Sequence, residues 1–581
     1  MTARVTPAPL ITNVAGRRTT SLDGTWRFVL DPYQSGYLNI FGAPNRHGWF
    51  NDAKPEHSRD RVEYDFDTSD TIRVPGDWNS QRPEYLYYEG AAWYRRTFDW
   101  TPQEGRRLFV HFGASNHLTR VWCNGEGPVE HDGGFGPFCL EITEAVRDGA
   151  NSLVVMVDNT RRVTGVPTTD TDWWNYGGLH RSVQLVDVPA TFMRDGWLQL
   201  DSEGDAIIGE IVLEGPESAN RTVTVRLPEL GVGSRLITDE FGQAAVRIVA
   251  DPERWAPGSP KLYRVEWELG DDVVVDEVGF RTVAVDGSTI LVNGEPTFLK
   301  GISIHAEAPT EARRAAGATD AAGLLQWVED LGANFVRLSH YQHDEAMVRE
   351  CDRRGILAWG ELPVYWSIDF ANDATYDNAE EQLEELVVRD RSRCSVILWS
   401  VANETMPSEE RTNFLAGLID AARRLDPTRL VSAALFTMPN REHHYVLDDP
   451  LSDHVDVIGI NAYIGWYYGD RSTFRTAVWE NPTGKPAIFT EFGAGALAGH
   501  HGTRDDIWTE EFQVDVIEGN LEMISKLEWV AGTSPWILKD FRSPKRVLPG
   551  IQDGFNRKGL VSERGVRKAA FETMRKFYAG R

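Results

Sequence analysis

The run Val396-Ile397-Leu398-Trp399-Ser400-Val401-Ala402 ends abruptly in Asn403-Glu404, and Pro486-Ala487-Ile488-Phe489-Thr490 ends the same way in Glu491, before Phe492-Gly493. An apolar run without alternation fits burial on both faces, the condition of a strand inside a parallel sheet. Each run reads as a buried strand that delivers an acid from its end. The two acids lie 491 − 404 = 87 residues apart, close to three βα units of roughly 30 residues each in a (β/α)8 barrel of about 250 residues. On that count they leave the fourth and seventh strands.

The texture after Gly287 agrees, because strands alternate there with helical stretches. Eight strand candidates follow one another: Lys300 to His305, Asn334 to His340, Ile356 to Glu361, Val396 to Glu404, Leu430 to Phe436, Asp456 to Tyr463, Ala487 to Glu491 and Trp529 to Ile537. Helix candidates between them include Ala379 to Arg391 and Arg411 to Leu425. Upstream the pattern is different. From about Ser21 to Pro189 short alternating strands such as Trp93 to Phe98, Leu108 to Phe112 and Leu153 to Val157 predict an all-β sandwich. A second β-rich stretch, Thr191 to Val285, carries Ala206 to Leu213 and Thr222 to Leu227 in a segment of about immunoglobulin-like length, roughly 100 residues. The expected division is therefore 1–190, 191–285 and 286–581.

Composition narrows the function. A formal charge of −27 and a pI near 5.0 argue against nucleic acid or an anionic membrane surface as partner, since both need a basic footprint. The 20 Trp suit a sugar-binding cleft as well as ordinary core packing. Four scattered cysteines, Cys123, Cys139, Cys351 and Cys394, form neither a disulfide framework nor a zinc cluster, and no metal or other cofactor is implied. Neither a signal-peptide core near the start nor a run of 18 apolar residues is visible. The chain as given reads as cytoplasmic, with a removed signal as the alternative.

Hydrolysis of a glycosidic bond needs an acid to protonate the departing oxygen and a carboxylate on the other side of the ring. Glu404 is read as the acid/base, its pKa raised by its surroundings, and Glu491 as an ionised nucleophile. The plainer alternative for each is a salt-bridged loop carboxylate. His305 and His340, both at strand ends, are candidates for contacting the sugar or for a structural role, and Trp536 near the end of the eighth strand candidate is counted with the substrate-binding residues.

Trp399-Ser-Val-Ala-Asn-Glu404 and Thr490-Glu-Phe-Gly493 resemble the acid/base and nucleophile signatures of glycoside hydrolase family 2. Ser21-Leu-Asp-Gly-Thr-Trp-Arg-Phe28 resembles the opening of that family's sugar-binding sandwich, and Val336-Arg-Leu-Ser-His-Tyr341 its second barrel strand. The resemblance covers nearly the whole chain. It implies an N-terminal jelly-roll β-sandwich, an immunoglobulin-like β-sandwich and a C-terminal TIM barrel. It also implies retention of configuration through a covalent glycosyl-enzyme, with carboxylates about 5 to 5.5 Å apart, and a homo-oligomer, dimer or tetramer.

Several stretches are similar to the family's β-glucuronidases. Asp172-Trp-Trp-Asn-Tyr-Gly-Gly-Leu-His-Arg181 resembles the loop of the first domain that reaches into their site, which gives Asp172 the role of binding sugar hydroxyls. Asn461-Ala-Tyr-Ile-Gly-Trp-Tyr467 resembles their sixth-strand end; it groups Asn461 with the site, places Tyr463 beside the nucleophile and Tyr467 near the substrate, with a packed loop aromatic as the alternative for Tyr467. Asn403 is expected to bond the sugar 2-hydroxyl. Asn556-Arg-Lys558-Gly559 resembles an Asn-x-Lys pair that holds a substrate carboxylate, whereas Gln552 stands where the pattern carries an arginine and Lys539 where a small neutral residue is common. The implied activity is removal of a terminal sugar, foremost β-D-glucuronic acid, from a glycoside or oligosaccharide. Alternatives are β-galactosidase or another exo-activity of the family on a galacturonide, arabinoside or galactofuranoside, and a carbohydrate-binding protein without turnover.

Overall fold

The computed structural model describes residues 5–46, 48–52, 57, 65–439 and 443–581. The first unit is a sandwich of two antiparallel sheets. Six strands, in the spatial order Asp70–Val74, Gly24–Asp31, Ala91–Trp100, Gly149–Asp158, Leu118–Cys123 and Glu126–Asp132, face five strands ordered Thr6–Ala8, Phe138–Glu141, Arg106–Phe112, Val183–Pro189 and Thr19–Ser21. Trp26, Tyr94, Val110, Val155 and Leu185 fill the space between them. Burial alternation fails in the first half of Ala91–Trp100, because the outer face of the larger sheet is covered as well. Trp93, Trp122 and Met156 pack there beneath Tyr37, Trp49 and Phe50. That outer cluster consumes several of the tryptophans.

The second unit packs a sheet of three strands, Phe192–Leu200, Ala206–Glu214 and Gln243–Val249, on one of four, Val232–Ile237, Thr222–Leu227, Tyr263–Leu269 and Asp272–Val278. Alternation is clean here, as in Gln243–Val249, where alanine, valine and isoleucine point inward and every second residue is exposed.

A closed barrel of eight parallel strands follows: β1 Leu299–Ile304, β2 Phe335–Leu338, β3 Leu357–Glu361, β4 Val396–Asn403, β5 Leu430–Phe436, β6 Val457–Asn461, β7 Ala487–Glu491 and β8 Val530–Thr533. All eight residues of β4 and all five of β7 are buried, as their unbroken apolar character requires. Ile290 and Val292 of a small hairpin close the bottom of the barrel against Leu299, Phe335, Leu357 and Ile488. The barrel is therefore open for chemistry only at the carboxyl ends of its strands.

Two differences from the sequence reading have simple causes. The eighth strand is expected to run to Ile537 but ends at Thr533, since beyond Ser534, whose N–H still bonds Phe489 of β7, Trp536 and Ile537 turn their backbone N–H groups to Phe492 and Lys558 of the neighbouring loops. The helix expected from Ala379 starts at Asp373, where the Asn372 side chain accepts from the N–H groups of Ala374 and Thr375 and caps it. The four cysteines are free and buried. Among the described residues no helix is long and apolar enough to cross a membrane.

Candidate active site

At the mouth of the barrel lies a cavity of about 330 Å³, lined by Glu404, Glu491, His340, Asn461, Tyr463, Tyr467, Trp536 and Lys558 from the barrel and by Asp172 from the first sandwich. The loop that delivers Asp172 is anchored by Trp173, whose ring packs 4.8 Å from Tyr365 and 5.7 Å from His340.

Glu491, Asn403 and Glu361 converge from three strands on one guanidinium. Arg337 of β2 is fully buried and donates from Nη1 to Glu491 Oε1 at 2.7 Å, from Nη2 to Asn403 Oδ1 at 2.7 Å, and from Nη2 and Nε to both oxygens of Glu361 at 2.9 and 3.1 Å. A buried charge of this kind is tolerable only when it is paired and hydrogen-bonded. Glu361, at the end of β3, neutralises it. Burial would raise the Glu361 carboxyl, but Arg337 and the His340 ring hold it down to about 2. Burial, with Arg337 adding to it, pushes His340 down to about 4, so the imidazole is neutral; its Nδ1 lies 2.7 Å from Glu361 and its ring stacks on Trp536 at 4.9 Å.

Glu491 Oε2 accepts from the Tyr463 hydroxyl at 2.5 Å. Glu404 Oε1 accepts from Asn461 Nδ2 at 2.9 Å and its Oε2 from Trp366 Nε1 at 2.8 Å. Both Glu404 and Trp366 have left-handed backbone, φ 51° and 56°, at a cost on the order of 1 kcal/mol each. Backbone bonds lock them there: Glu404 N to Ala434 O at 2.8 Å, Trp366 N to Asn403 O at 2.9 Å. The kink turns Glu404 out of the β4 line and into the cavity.

The sequence reading makes Glu491 an ionised nucleophile, and its surroundings work against that charge. Glu491 is 5% exposed, and its carboxyl is pushed up to about 7 by this deep burial and by the charge of Glu404, against the pull of Arg337 and of the Tyr463 hydroxyl.

A second group of side chains forms the other wall. Asp172 accepts from Ser543 Oγ at 2.7 Å, from Asn556 Nδ2 at 2.9 Å and from Arg546 Nε and Nη2 at 3.1 and 2.7 Å. The Lys558 ammonium donates to the Tyr467 hydroxyl at 2.7 Å, and Arg546 Nη2 reaches the same oxygen at 3.1 Å. These cations draw the Tyr467 phenol below its ordinary value, although desolvation opposes them.

His305, Asn403 and Asn556 do not line the cavity; each stands behind a residue that does. His305 bonds Tyr341 at 3.1 Å and packs against Trp536, Asn403 Oδ1 is taken by Arg337 and Asn461, and Asn556 holds Asp172. Gln552 turns its amide oxygen to its own loop at Leu548 N. Lys539 lies away from the cavity, bonded to Glu311 O at 3.2 Å with its ammonium depressed by burial. Sequence reasoning passed over Arg337, Glu361, Tyr365, Trp366 and Arg546. Glu361 carries the same strand-end signal as the two glutamates, and its full burial against Arg337 is what separates it from them.

Residues 283–580 match the model of the TIM barrel domain of glycosyl hydrolases family 2, and residues 19–189 match that of the family's sugar binding domain. The chain is 28% identical to a β-glucuronidase of Paenibacillus borealis, with 96% of each sequence covered. It is also 28% identical to the β-glucuronidase of Homo sapiens, over 97% of this chain and 91% of that one. Among solved structures, a β-glucuronidase from an uncultured Clostridium sp. aligns with a TM-score of 0.83 at 26% identity, covering 99% of this chain and 100% of that one. The Bifidobacterium dentium β-glucuronidase complexed with coumarin-3-O-glucuronide aligns with a TM-score of 0.82 at 25% identity, covering 97% of each. With both family models matched in order and a strand-end pair of glutamates in one cavity, this chain belongs to glycoside hydrolase family 2 and is a glycoside hydrolase.

Proposed function

We propose that the enzyme removes terminal β-D-glucuronic acid by a double displacement with retained configuration. Glu491 attacks the anomeric carbon while Glu404 gives its proton to the departing glycosidic oxygen, which leaves as an alcohol. Glu404 then takes a proton from water, whose oxygen displaces Glu491 from the same carbon. Arg337 and Tyr463 support the nucleophile as an anion, each donating to one of its oxygens. A proton on Glu491, whose carboxyl is raised to about 7, must leave before attack while Glu404 keeps its own, so the reaction needs the pair to carry one proton, placed on Glu404. Asn403, behind the cavity wall, takes Arg337 and Asn461 on its amide oxygen and so positions the Asn461 amide that bonds Glu404.

The observation that carries the choice of sugar is Lys558. Its side chain is buried, 4% exposed, and among the described residues no carboxylate lies within ion-pair distance of it; its polar partner is the neutral hydroxyl of Tyr467. A buried ammonium without a counter-ion is costly, and the carboxylate of a uronic acid supplies the missing charge. The relatives named β-glucuronidases support the same reading. A β-galacturonide is the second reading, because the charge argument does not see the C4 epimer. The test is specificity on 4-nitrophenyl β-glucuronide, β-galacturonide, β-glucoside, β-galactoside, α-L-arabinoside and β-galactofuranoside. The glucuronide should lead; a neutral sugar favoured by tenfold or more in kcat/KM, about 1.4 kcal/mol, overturns the uronide reading.

A further inference from the structure

Three carboxylates line the cavity, Asp172, Glu404 and Glu491, and two cations, Arg546 and Lys558. His340 adds no charge at neutral pH, since burial holds it at about 4. A uronate entering this cavity brings a further negative charge. One ammonium cannot balance both that charge and Asp172.

Arg546 resolves the imbalance. Its guanidinium takes Asp172 through two parallel bonds, Nε to Oδ1 at 3.1 Å and Nη2 to Oδ2 at 2.7 Å, the bidentate geometry in which arginine binds carboxylates best. That pairing leaves Lys558 free of Asp172. Nη2 also touches the Tyr467 hydroxyl, where the Lys558 ammonium arrives from the other side. The two cations thus meet at one neutral oxygen, and positive charge is concentrated there.

The side chain goes out of its way to do this. Pro544, Lys545, Val547 and Leu548 around it are exposed, and arginines of surface loops ordinarily keep their heads in water. Here the loop is pinched at its neck, with Ser543 N bonded to Gly554 O at 2.8 Å and Gly554 N to Arg546 O at 2.7 Å, and the Arg546 side chain turns inward to 22% exposure.

We propose that Arg546 sets the preference of this enzyme for a charged sugar: it cancels the charge of Asp172 and, with Lys558, presents net positive charge to the substrate carboxylate at the Tyr467 hydroxyl. The inference rests on the uronide reading above. A purely structural tie between the first sandwich and the barrel would serve charged and neutral substrates alike, so the ratio between them is the measurement that matters.

Arg546→Gln keeps a donor for Asp172 and Tyr467 but removes the charge, and Arg546→Lys keeps the charge. Both are compared with wild type on 4-nitrophenyl β-glucuronide and β-glucoside, together with inhibition by free glucuronate and free glucose. The Gln variant should lose at least tenfold more kcat/KM on the glucuronide than on the glucoside, and glucuronate should inhibit it at least tenfold more weakly while glucose inhibition holds. The Lys variant should keep the wild-type ratio within about threefold, and it carries the test alone if the Gln variant does not fold. A wild type that prefers the glucoside overturns the uronide reading and this inference with it. A glucuronide-preferring wild type whose Gln variant loses both substrates equally, or whose folded Lys variant loses the ratio, overturns the inference alone.

Discussion

Replacing Tyr463 by phenylalanine removes one hydroxyl from the cavity and leaves the ring in place. That hydroxyl donates to Glu491 Oε2 at 2.5 Å and is one of the influences that restrain a carboxyl which burial raises, on balance to about 7. A hydrogen bond to a charged group contributes roughly 1.5 to 3 kcal/mol. The hydroxyl can still donate weakly to a protonated carboxyl, so the lower end applies, and at about 1.4 kcal/mol per unit the Glu491 pKa rises by about one. The sign follows from what the nucleophile needs. Only ionised Glu491 attacks, so the acid limb of kcat/KM moves to higher pH, and below it the variant falls about tenfold behind wild type. The gap closes as pH passes the shifted limb. The assay is kcat/KM against pH from 5 to 10 with 4-methylumbelliferyl β-glucuronide. A limb that stays in place, a limb that moves toward acid, or a loss of equal size at every pH refutes the argument.

Four further outcomes are expected. Glu404→Gln and Glu491→Gln each abolish steady-state hydrolysis, and azide restores turnover of an activated aryl glycoside in the first, giving the β-glycosyl azide; the second forms no β-glycosyl azide, and its appearance there would exchange the two roles. Glu491→Gln also gains thermal stability over wild type as pH rises: a carboxyl raised from 4.5 to about 7 in the folded state contributes stability that is complete below 4.5 and lost by 7, so the difference in Tm between variant and wild type should widen across that window, and a constant difference would contradict it. Asp172→Ala deprives Arg546, Asn556 and Ser543 of their acceptor and should cost about 1 to 3 kcal/mol in kcat/KM; wild-type kinetics would show that the first sandwich does not complete the site. Lys558→Ala should lower kcat/KM on the glucuronide by about 1.5 to 3 kcal/mol more than on the matching glucoside, and an equal loss on both would remove Lys558 from recognition of the carboxylate.

What could be read from sequence follows from what each position has to satisfy. Strands buried on both faces leave an apolar run that polar residues interrupt only where the strand ends, and for that reason β4 and β7 were legible together with Glu404 and Glu491. Helix starts were less so, because the cap at Asn372 is a single polar side chain well ahead of the apolar stripe that begins at Ala379. Arg337 sat inside a recognised motif but reads as an ordinary strand residue until Glu361, Asn403 and Glu491 are seen to converge on it. Arg546 left no trace at all. A loop without periodicity gives no direction to its side chains, and only the pinch at Ser543 and Gly554 decides that this one points inward. The raised carboxyl of Glu491 was equally hidden, since depth of burial at the end of a strand is a property of the loops around it.

The acceptor at Asp172 belongs to the first sandwich, while all of its donors, Ser543, Arg546 and Asn556, come from the last loops of the barrel. The boundary between the two domains therefore passes through the active site, and neither side is a spare part. A barrel transplanted onto a relative's sandwich would inherit both glutamates yet meet its own cationic loop with a foreign partner, so chimeras and swaps within the family have to exchange the segments around 172 and 543–558 as one inheritable block.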